Sequence, residues 1–388
     1  MIVRSNLHLQ PGQVITDGLD IRASDITVLG QSGSKVRGQV IVRESNVTLQ
    51  DFTIETTTKG IRIENPGVSG LTCRNVTIGG GMDLLYFIAS TSEHRFYDCH
   101  LSGSDRTIGL MTNTWDVEFN GCHFANNKST AAQHGEAFSI GEPGIPTNVG
   151  GFTFVDCEFL NIQGTGVVVG NGDDWVFSRC IFWNDPASRG FLSNGSVTTW
   201  ADKAWAGKIY RMSNVVVDHC TFANLTGQAG VRTWANEAGN IVSNSVFWSN
   251  DRVNFSSNFD ITNNVRIFGD EDIFRDPDAG DFTPIVDLNG AGAVPFGTIP
   301  VPPPIEPPPI LPPVEPPPIE PPPEPTHSHD DLWVRINTQA DSIANLQARV
   351  VSLETQADHY HVLPTGITIP AEIILSEDVD TDSAIYDE

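Results

Sequence analysis

Basic residues are scarce. The 388-residue chain carries 22 Lys and Arg against 48 Asp and Glu, a formal net charge of −26. Such a chain does not neutralise phosphates, which argues against nucleic-acid binding and against an anionic membrane surface. No segment is basic enough to serve as a polyanion-binding tail. Long apolar runs are also absent. Nothing approaches the roughly 18 apolar residues of a membrane span, so no membrane insertion is expected. The opening MIVRSNLHLQPGQ lacks the apolar core of a signal peptide. The expected history is therefore synthesis in the cytosol, no export by the general route, and action outside the cell after lysis. Cysteine is sparse: six in a chain of this length do not make a disulfide scaffold. Each repeat unit, moreover, lacks a helical period.

What the sequence does have is repetition. The stretches VTLQDFTIET, LTCRNVTIGG, HRFYDCHLSG, VEFNGCHFAN, FTFVDCEFLN, WVFSRCIFWN, VVVDHCTFAN and IVSNSVFWSN share one pattern. An apolar pair leads to a polar or Gly hinge, then an anchor, then an apolar residue two places on. The anchors run Phe52, Val76, Cys99, Cys122, Cys157, Cys180, Cys220 and Ser245, with Ile26 expected to begin the series and Val265 to end it. The steps are 26, 24, 23, 23, 35, 23, 40, 25 and 20 residues. A period near 23, carried by two or three short β-like runs, predicts a solenoid. Residues two apart on a strand share a face, so each anchor and its +2 partner are predicted to point inward. Stacked coils then place like residues in columns, here one of Cys and others of Phe. The cysteines are accordingly read as small buried hydrophobes, not as disulfides or nucleophiles. Four places after the anchor stand Gly80, Gly103, Asn126, Asn161, Asn184 and Asn224, residues that tolerate a left-handed turn.

These features resemble the pectate-lyase-like right-handed parallel β-helices. NVVVDHCTFAN (214–224) is similar to the lyase stretch in which a hydrophobic strand runs into Asp-His, and DIFRDPDAGDFTPIVDLNGAGA (272–293) to the closing coil of many such proteins. The resemblance covers about residues 15–295 and implies an all-β fold, a right-handed parallel β-helix. It specifies no activity, because this scaffold hosts lyases, hydrolases and inert binders. The pectate lyase motif Arg-x-Pro-x-x-Arg is absent, and GVVVGNG holds no Lys of the kind alginate-lyase-type β-helices use.

The steps of 35 and 40 residues expel loops, and loops on a rigid solenoid are where function concentrates. The first excursion is 126–151. The second, 184–214, is locally basic and aromatic: Arg189, Lys203, Lys208 and Arg211, with Trp200, Trp205 and Tyr210. Aromatic faces with a few charges suit sugar rings, so Trp200, Trp205, Lys203, Lys208, Tyr210 and Arg211 are glycan-binding candidates; the bland reading is two Trp pinning a loop to the coil. The acid candidates are Glu136, His134, Asp173 and Asp174. A glycosidase needs two carboxylates about 5–9.5 Å apart, which Glu136 with Asp173 or Asp174 would supply from different rungs. Asp173 and Asp174 are neighbours, and strand alternation would point them apart. His134 beside Glu136 is an acid/base candidate. The alternative for all four is turn and loop polarity. His219 reads as a ladder-edge residue.

Beyond the repeats the chain changes character. From Pro300 to Pro325, sixteen of twenty-six residues are proline, which predicts a polyproline II spacer. Then Leu332, Ile336, Gln339, Ile343, Leu346, Val350, Leu353 and Ala357 follow 4-3 spacings, an unbroken coiled-coil seam. It is bracketed by His327 and His329 on one side and His359 and His361 on the other. Ile and Val alternating with Leu lean toward two strands. Three parallel chains, however, would aim six imidazoles at one axis and fit an octahedral first-row metal, iron before zinc or nickel. The brackets resemble the His-x-His metal sites of trimeric bacteriophage tail fibres and spikes. The expected organisation is a β-helix over 1–298, a proline-rich linker over 299–326, a metal-clamped coiled coil over 327–361 and a short β-like, acidic tail over 362–388. The expected function is a homotrimeric virion spike or fibre that binds host surface polysaccharide and contacts other virion proteins. The alternative is a glycan-cleaving depolymerase of the same architecture, a polysaccharide lyase or glycoside hydrolase.

Overall fold

Among the described residues of the computed structural model, all strands but one antiparallel pair fall into three parallel sheets of eleven strands each. It describes residues 1–127, 137–140, 149–162, 168–170, 172–185, 196–198, 212–225, 229–232, 239–250, 253–255, 259–267 and 272–294. All of them lie in one compact unit, Met1–Pro303. The linker, the heptad seam and its histidine pairs lie outside the described residues.

Each coil contributes one strand to each sheet in turn. Sheet A begins with Ile2–Val3, sheet B with Leu7–His8 and sheet C with Val14–Ile15, and every strand pairs with its counterpart one coil later. The fold is thus an all-β parallel solenoid with three short strands per coil. The predicted inward pairs are buried: Cys99 with Leu101, Cys122 with Phe124, Cys157 with Phe159, Cys180 with Phe182 and Cys220 with Phe222. Stacking in register turns like residues into columns. Phe124, Phe159, Phe182, Phe222 and Phe247 stack at 4.9, 4.7, 4.6 and 4.7 Å in sheet C. Phe96, Phe119, Phe154 and Phe177 do so in sheet B at 4.7, 5.0 and 4.9 Å. Each such pair adds roughly 0.5–1.5 kcal/mol beyond its burial. All six cysteines are free and buried. The thiols of Cys122, Cys157 and Cys180 each reach a Phe carbonyl of the coil below at 3.4 Å.

The corners obey backbone sterics. Of the six residues four places beyond the anchors, all but Asn184 adopt positive φ. The hinge before each anchor is also left-handed, in Asp51, Asn75, Asp98, Gly121 and Asp156. A third left-handed column precedes sheet B: Asp25, Asn46, Gly70, Glu93, Asp116, Gly151, Asp174, Asn214 and Gly239. Asp, Asn and Gly dominate because their left-handed cost is small.

Three expectations need correction. Lys35 pairs with Thr53, so Ser34 lies beneath Phe52, whereas Ile26 precedes Thr27, which pairs with Thr48 in sheet B. Ile26 therefore belongs to another column, and the step into Phe52, from Ser34, is short. At the other end Val246 pairs with Val265, so Asn264, not Val265, continues the anchors. Nor does 272–293 form a coil. Its strands Phe274–Asp276 and Asp281–Pro284 pair antiparallel, and Phe274, Phe282 and Leu288 pack on Trp183, Ala223 and Trp248, which flank the inward phenylalanines of sheet C and face outward. The segment is a strap across the outside of that sheet, fixed by hydrogen bonds from Gly292 N to Asn244 O at 2.8 Å and from Ala293 N to the Thr221 hydroxyl at 3.0 Å.

Candidate functional site

Each long step contains a short sheet A strand, Phe138–Ile140 in the first and Ser196–Thr198 in the second. The residues between sheets A and B, 141–148 and 199–211, lie outside the described residues. The described strands that follow them are neighbours in sheet B: Gly150–Val155 and Met212–Asp218, with Gly172–Ser178 between them. The first residues of these three strands form one N-terminal edge of sheet B.

Asp173 and Asp174 stand on that edge, and both are exposed. Simple alternation would have turned one of them inward. Asp174 has φ 63°, in the left-handed column, so the chain bulges there and Trp175 becomes the first inward residue, fully buried. The two carboxylates are fixed from the next coil. Asp173 accepts a hydrogen bond from the Ser213 hydroxyl, and Asp174 accepts one from Asn214 Nδ2 at 3.0 Å. Each keeps lone pairs for a ligand.

Two coils below stands Trp115, which the sequence reading did not single out. The register runs Ser92, Trp115, Gly150, Asp173, Ser213. Trp115 is 40% exposed, whereas Trp175 and Trp183 are buried. Its indole occupies the space a side chain at position 150 would take, for a Cβ there would meet Trp115 Cζ3 at 2.5 Å. Gly150 therefore lets the ring lie over the coil between Trp115 and Asp173. Among the described residues the indole N–H has no hydrogen-bond partner. Beside it Arg95 binds the Asp116 carboxylate at 2.8 Å and approaches Glu118 at 3.5 Å, and its other amino group is held by the carbonyls of His94 and Asp116. Further along the outward face, Glu118 gives way to Thr153, Val176, Val216 and Ile241, so the charged face becomes apolar. An exposed indole with fixed carboxylates beside it can stack on one face of a sugar ring and accept bonds from its hydroxyls.

The other acid candidates, His134 and Glu136, lie outside the described residues. So do the glycan candidates Trp200, Lys203, Trp205, Lys208, Tyr210 and Arg211, and the metal candidates His327, His329, His359 and His361. His219 lies at the corner after sheet B with φ 51°. It contacts Asp218 at 2.7 Å, and that carboxylate also accepts from Ser243 and Asn244. Burial would raise the Asp218 carboxyl, but these hydrogen bonds hold it below the usual range. The dyad therefore ties two consecutive coils together at a corner.

A second polar group, on the outside of sheet C, also went unread. His100 and His123 stack at 4.5 Å, and His123 and Trp183 both reach Glu158, the indole at 2.6 Å. Burial pushes the Glu158 carboxyl up, yet the His123 and Trp183 contacts draw it below its ordinary value. Among the described residues no cluster of His, Cys, Asp or Glu has the arrangement of a metal site. Stacked parallel imidazoles do not converge on one ion.

Residues 145–271 match the family model described as the right-handed β-helix region. Over that stretch the parallel solenoid is similar to the right-handed β-helices. No curated protein matches the chain. Among solved structures, the chain is similar to the catalytic domain of a GH87 alpha-1,3-glucanase in complex with nigerose, at 10% identity and a TM-score of 0.34, covering 67% of this chain and 62% of that one. A complex of that catalytic domain with tetrasaccharides gives 10% identity and a TM-score of 0.33, with 68% and 63% covered. The Dettilon tailspike protein (gp208) gives 12% identity and a TM-score of 0.28, with 67% and 60% covered. The chain thus spans less than two thirds of each of these structures.

Proposed function

We propose that the protein is a homotrimeric bacteriophage spike or fibre whose β-helix binds a host surface polysaccharide. The observation that carries the glycan reading is the exposed Trp115 lying over Gly150, with Asp173 and Asp174 fixed on the same sheet edge. Solenoids hold such residues at fixed spacing along a surface, which suits a repeating ligand. In sequence, residues 199–211 immediately precede the sheet B strand Met212–Asp218, and their Trp200, Lys203, Trp205, Lys208, Tyr210 and Arg211 are the further glycan contacts of this proposal. Trimerisation is supported by the unbroken heptad seam between two His-x-His pairs, which would close three chains around iron, or zinc or nickel, at each end. The virion reading rests on that stalk pattern.

Two experiments test these parts separately. Binding to a panel of purified bacterial surface polysaccharides should be found for one member and lost in Trp115→Ala; no binding by the wild type would sink the reading. Native mass spectrometry of the full chain should give a trimer with two transition-metal ions that dissociates in chelator or in a His329→Ala/His361→Ala double variant. A metal-free monomer would refute the stalk. Exposure of both Asp173 and Asp174 beside the indole favours one second reading, cleavage of the bound glycan. New reducing ends or unsaturated sugars on incubation, lost in Asp173→Ala or Asp174→Ala, would establish it.

A further inference from the structure

The glycan-binding reading leaves the sugar class open, and the charges around Trp115 narrow it. We infer that the ring stacked on Trp115 is an uncharged or amine-bearing pyranose, and that uronates, sialic acids and phosphorylated sugars are rejected there. The inference rests on the glycan-binding reading.

The indole is the recognition element. The residue is exposed, its N–H is unpaired among the described residues, and Gly150 one coil on leaves the ring its space. Among the described residues, what surrounds it is acidic. Glu93 and Asp116 occupy the left-handed column next to it, Asp174 continues that column, and Asp173 and Glu118 lie on the same strands' outward side. The cation among them, Arg95, is already spent: its guanidinium holds Asp116 and Glu118 and donates to two backbone carbonyls. Recognition of a carboxylate or phosphate needs a free fork of donors or a second cation, and like charges brought together without one repel. A neutral ring meets no such penalty, because carboxylates accept from hydroxyls. An ammonium gains twice, from the carboxylates and from the indole face. The basic residues of the second excursion point toward acidic sugars on composition alone, so the two expectations are opposed and an experiment separates them.

Trp115 supplies its own readout. The emission difference between wild type and Trp115→Phe, both as full chains, isolates this indole from the other seven tryptophans. That component should be quenched by caesium several-fold more strongly than by iodide, with neutral acrylamide reporting exposure. Titration with chitohexaose should perturb it, whereas hexagalacturonate should require at least about tenfold higher concentration for the same change. Equal quenching by the two ions, or an equal response to hexagalacturonate, would overturn the inference and leave glycan binding untouched. A caesium preference in a protein that binds no surface polysaccharide would instead overturn the reading on which the inference rests.

Discussion

His94 should make the solenoid sensitive to acid. It is the only histidine in its column, between Leu71 and Val117, with no solvent exposure. Its Nδ1 accepts a long hydrogen bond from Leu71 N at 3.4 Å, its Nε2 is buried without a partner, and its ring lies edge-on to Phe87 at 5.1 Å. Burial, reinforced by the Arg95 charge and only partly offset by Asp116, lowers its pKa from 6.5 to about 3. The folded state therefore keeps this imidazole neutral. Below pH 6.5 the unfolded chain takes up a proton that the fold refuses, so stability is complete above 6.5 and is lost as pH falls toward 3. At about 1.36 kcal/mol per pH unit, the loss from this one group is roughly 2 kcal/mol by pH 5 and about 5 kcal/mol when complete. His94→Leu removes the titration and matches Leu71 one coil away. At pH 7.5 the variant forfeits one weak hydrogen bond, about 1 kcal/mol. Urea unfolding followed by circular dichroism at pH 7.5 and 5.0 should show the wild type losing about 2 kcal/mol more than the variant. Parallel losses in the two proteins would mean that His94 is protonated in the fold, or reaches water, and would refute the burial argument.

Other consequences follow from the columns and the corners. Phe182→Ala opens a void between two stacked rings and should cost about 3–5 kcal/mol in urea unfolding; a loss under about 1 kcal/mol would mean the column collapses around the gap. The six buried thiols should not react with Ellman's reagent at pH 8 in the native state, those of Cys73, Cys157 and Cys180 being also pushed up in pKa chiefly by burial, whereas all six should react in denaturant. Any native thiol titrating quickly would contradict the column. Asp83 is 1% exposed and is held by the Arg106 guanidinium and the Thr107 hydroxyl. Arg106→Ala should therefore cost about 3–5 kcal/mol, and Arg106→Ala with Asp83→Leu much less, because only the single variant strands a buried charge.

The fold was legible because a β-helix repeats its burial pattern once per coil. Cys99, Cys122, Cys157, Cys180 and Cys220 recur at one place, and the structure stacks them in one column. The ends were less legible for the same reason. An early coil with Ser34 at the anchor and a last with Asn264 offer polar residues where the pattern has apolar ones, so Ile26 and Val265 present themselves as false continuations. The strap was misread because an apolar segment after the last repeat looks like one more coil. Its destination is set by Trp183 and Trp248, which face outward beside the inward phenylalanines and need cover.

The candidate site was half legible, and the missing half has a physical signature. Asp173 and Asp174 drew notice as acids, but alternation alone could not place both outside; that takes the left-handed bulge at Asp174, one of nine such residues at equivalent positions. Once that column is recognised in the sequence, the residue before each of its members is known to face outward at the edge of sheet B. Read this way, TWDV sets Trp115 where most coils set a small or polar residue, and the counterpart one coil later is glycine, whose missing side chain leaves the indole its space. A bulky aromatic at an outward position costs a soluble surface something and adds nothing to the core. Its pairing with a glycine one coil on is therefore a stronger sign of a ligand than the tryptophans of the long excursion, which have the alternative of pinning their own loop.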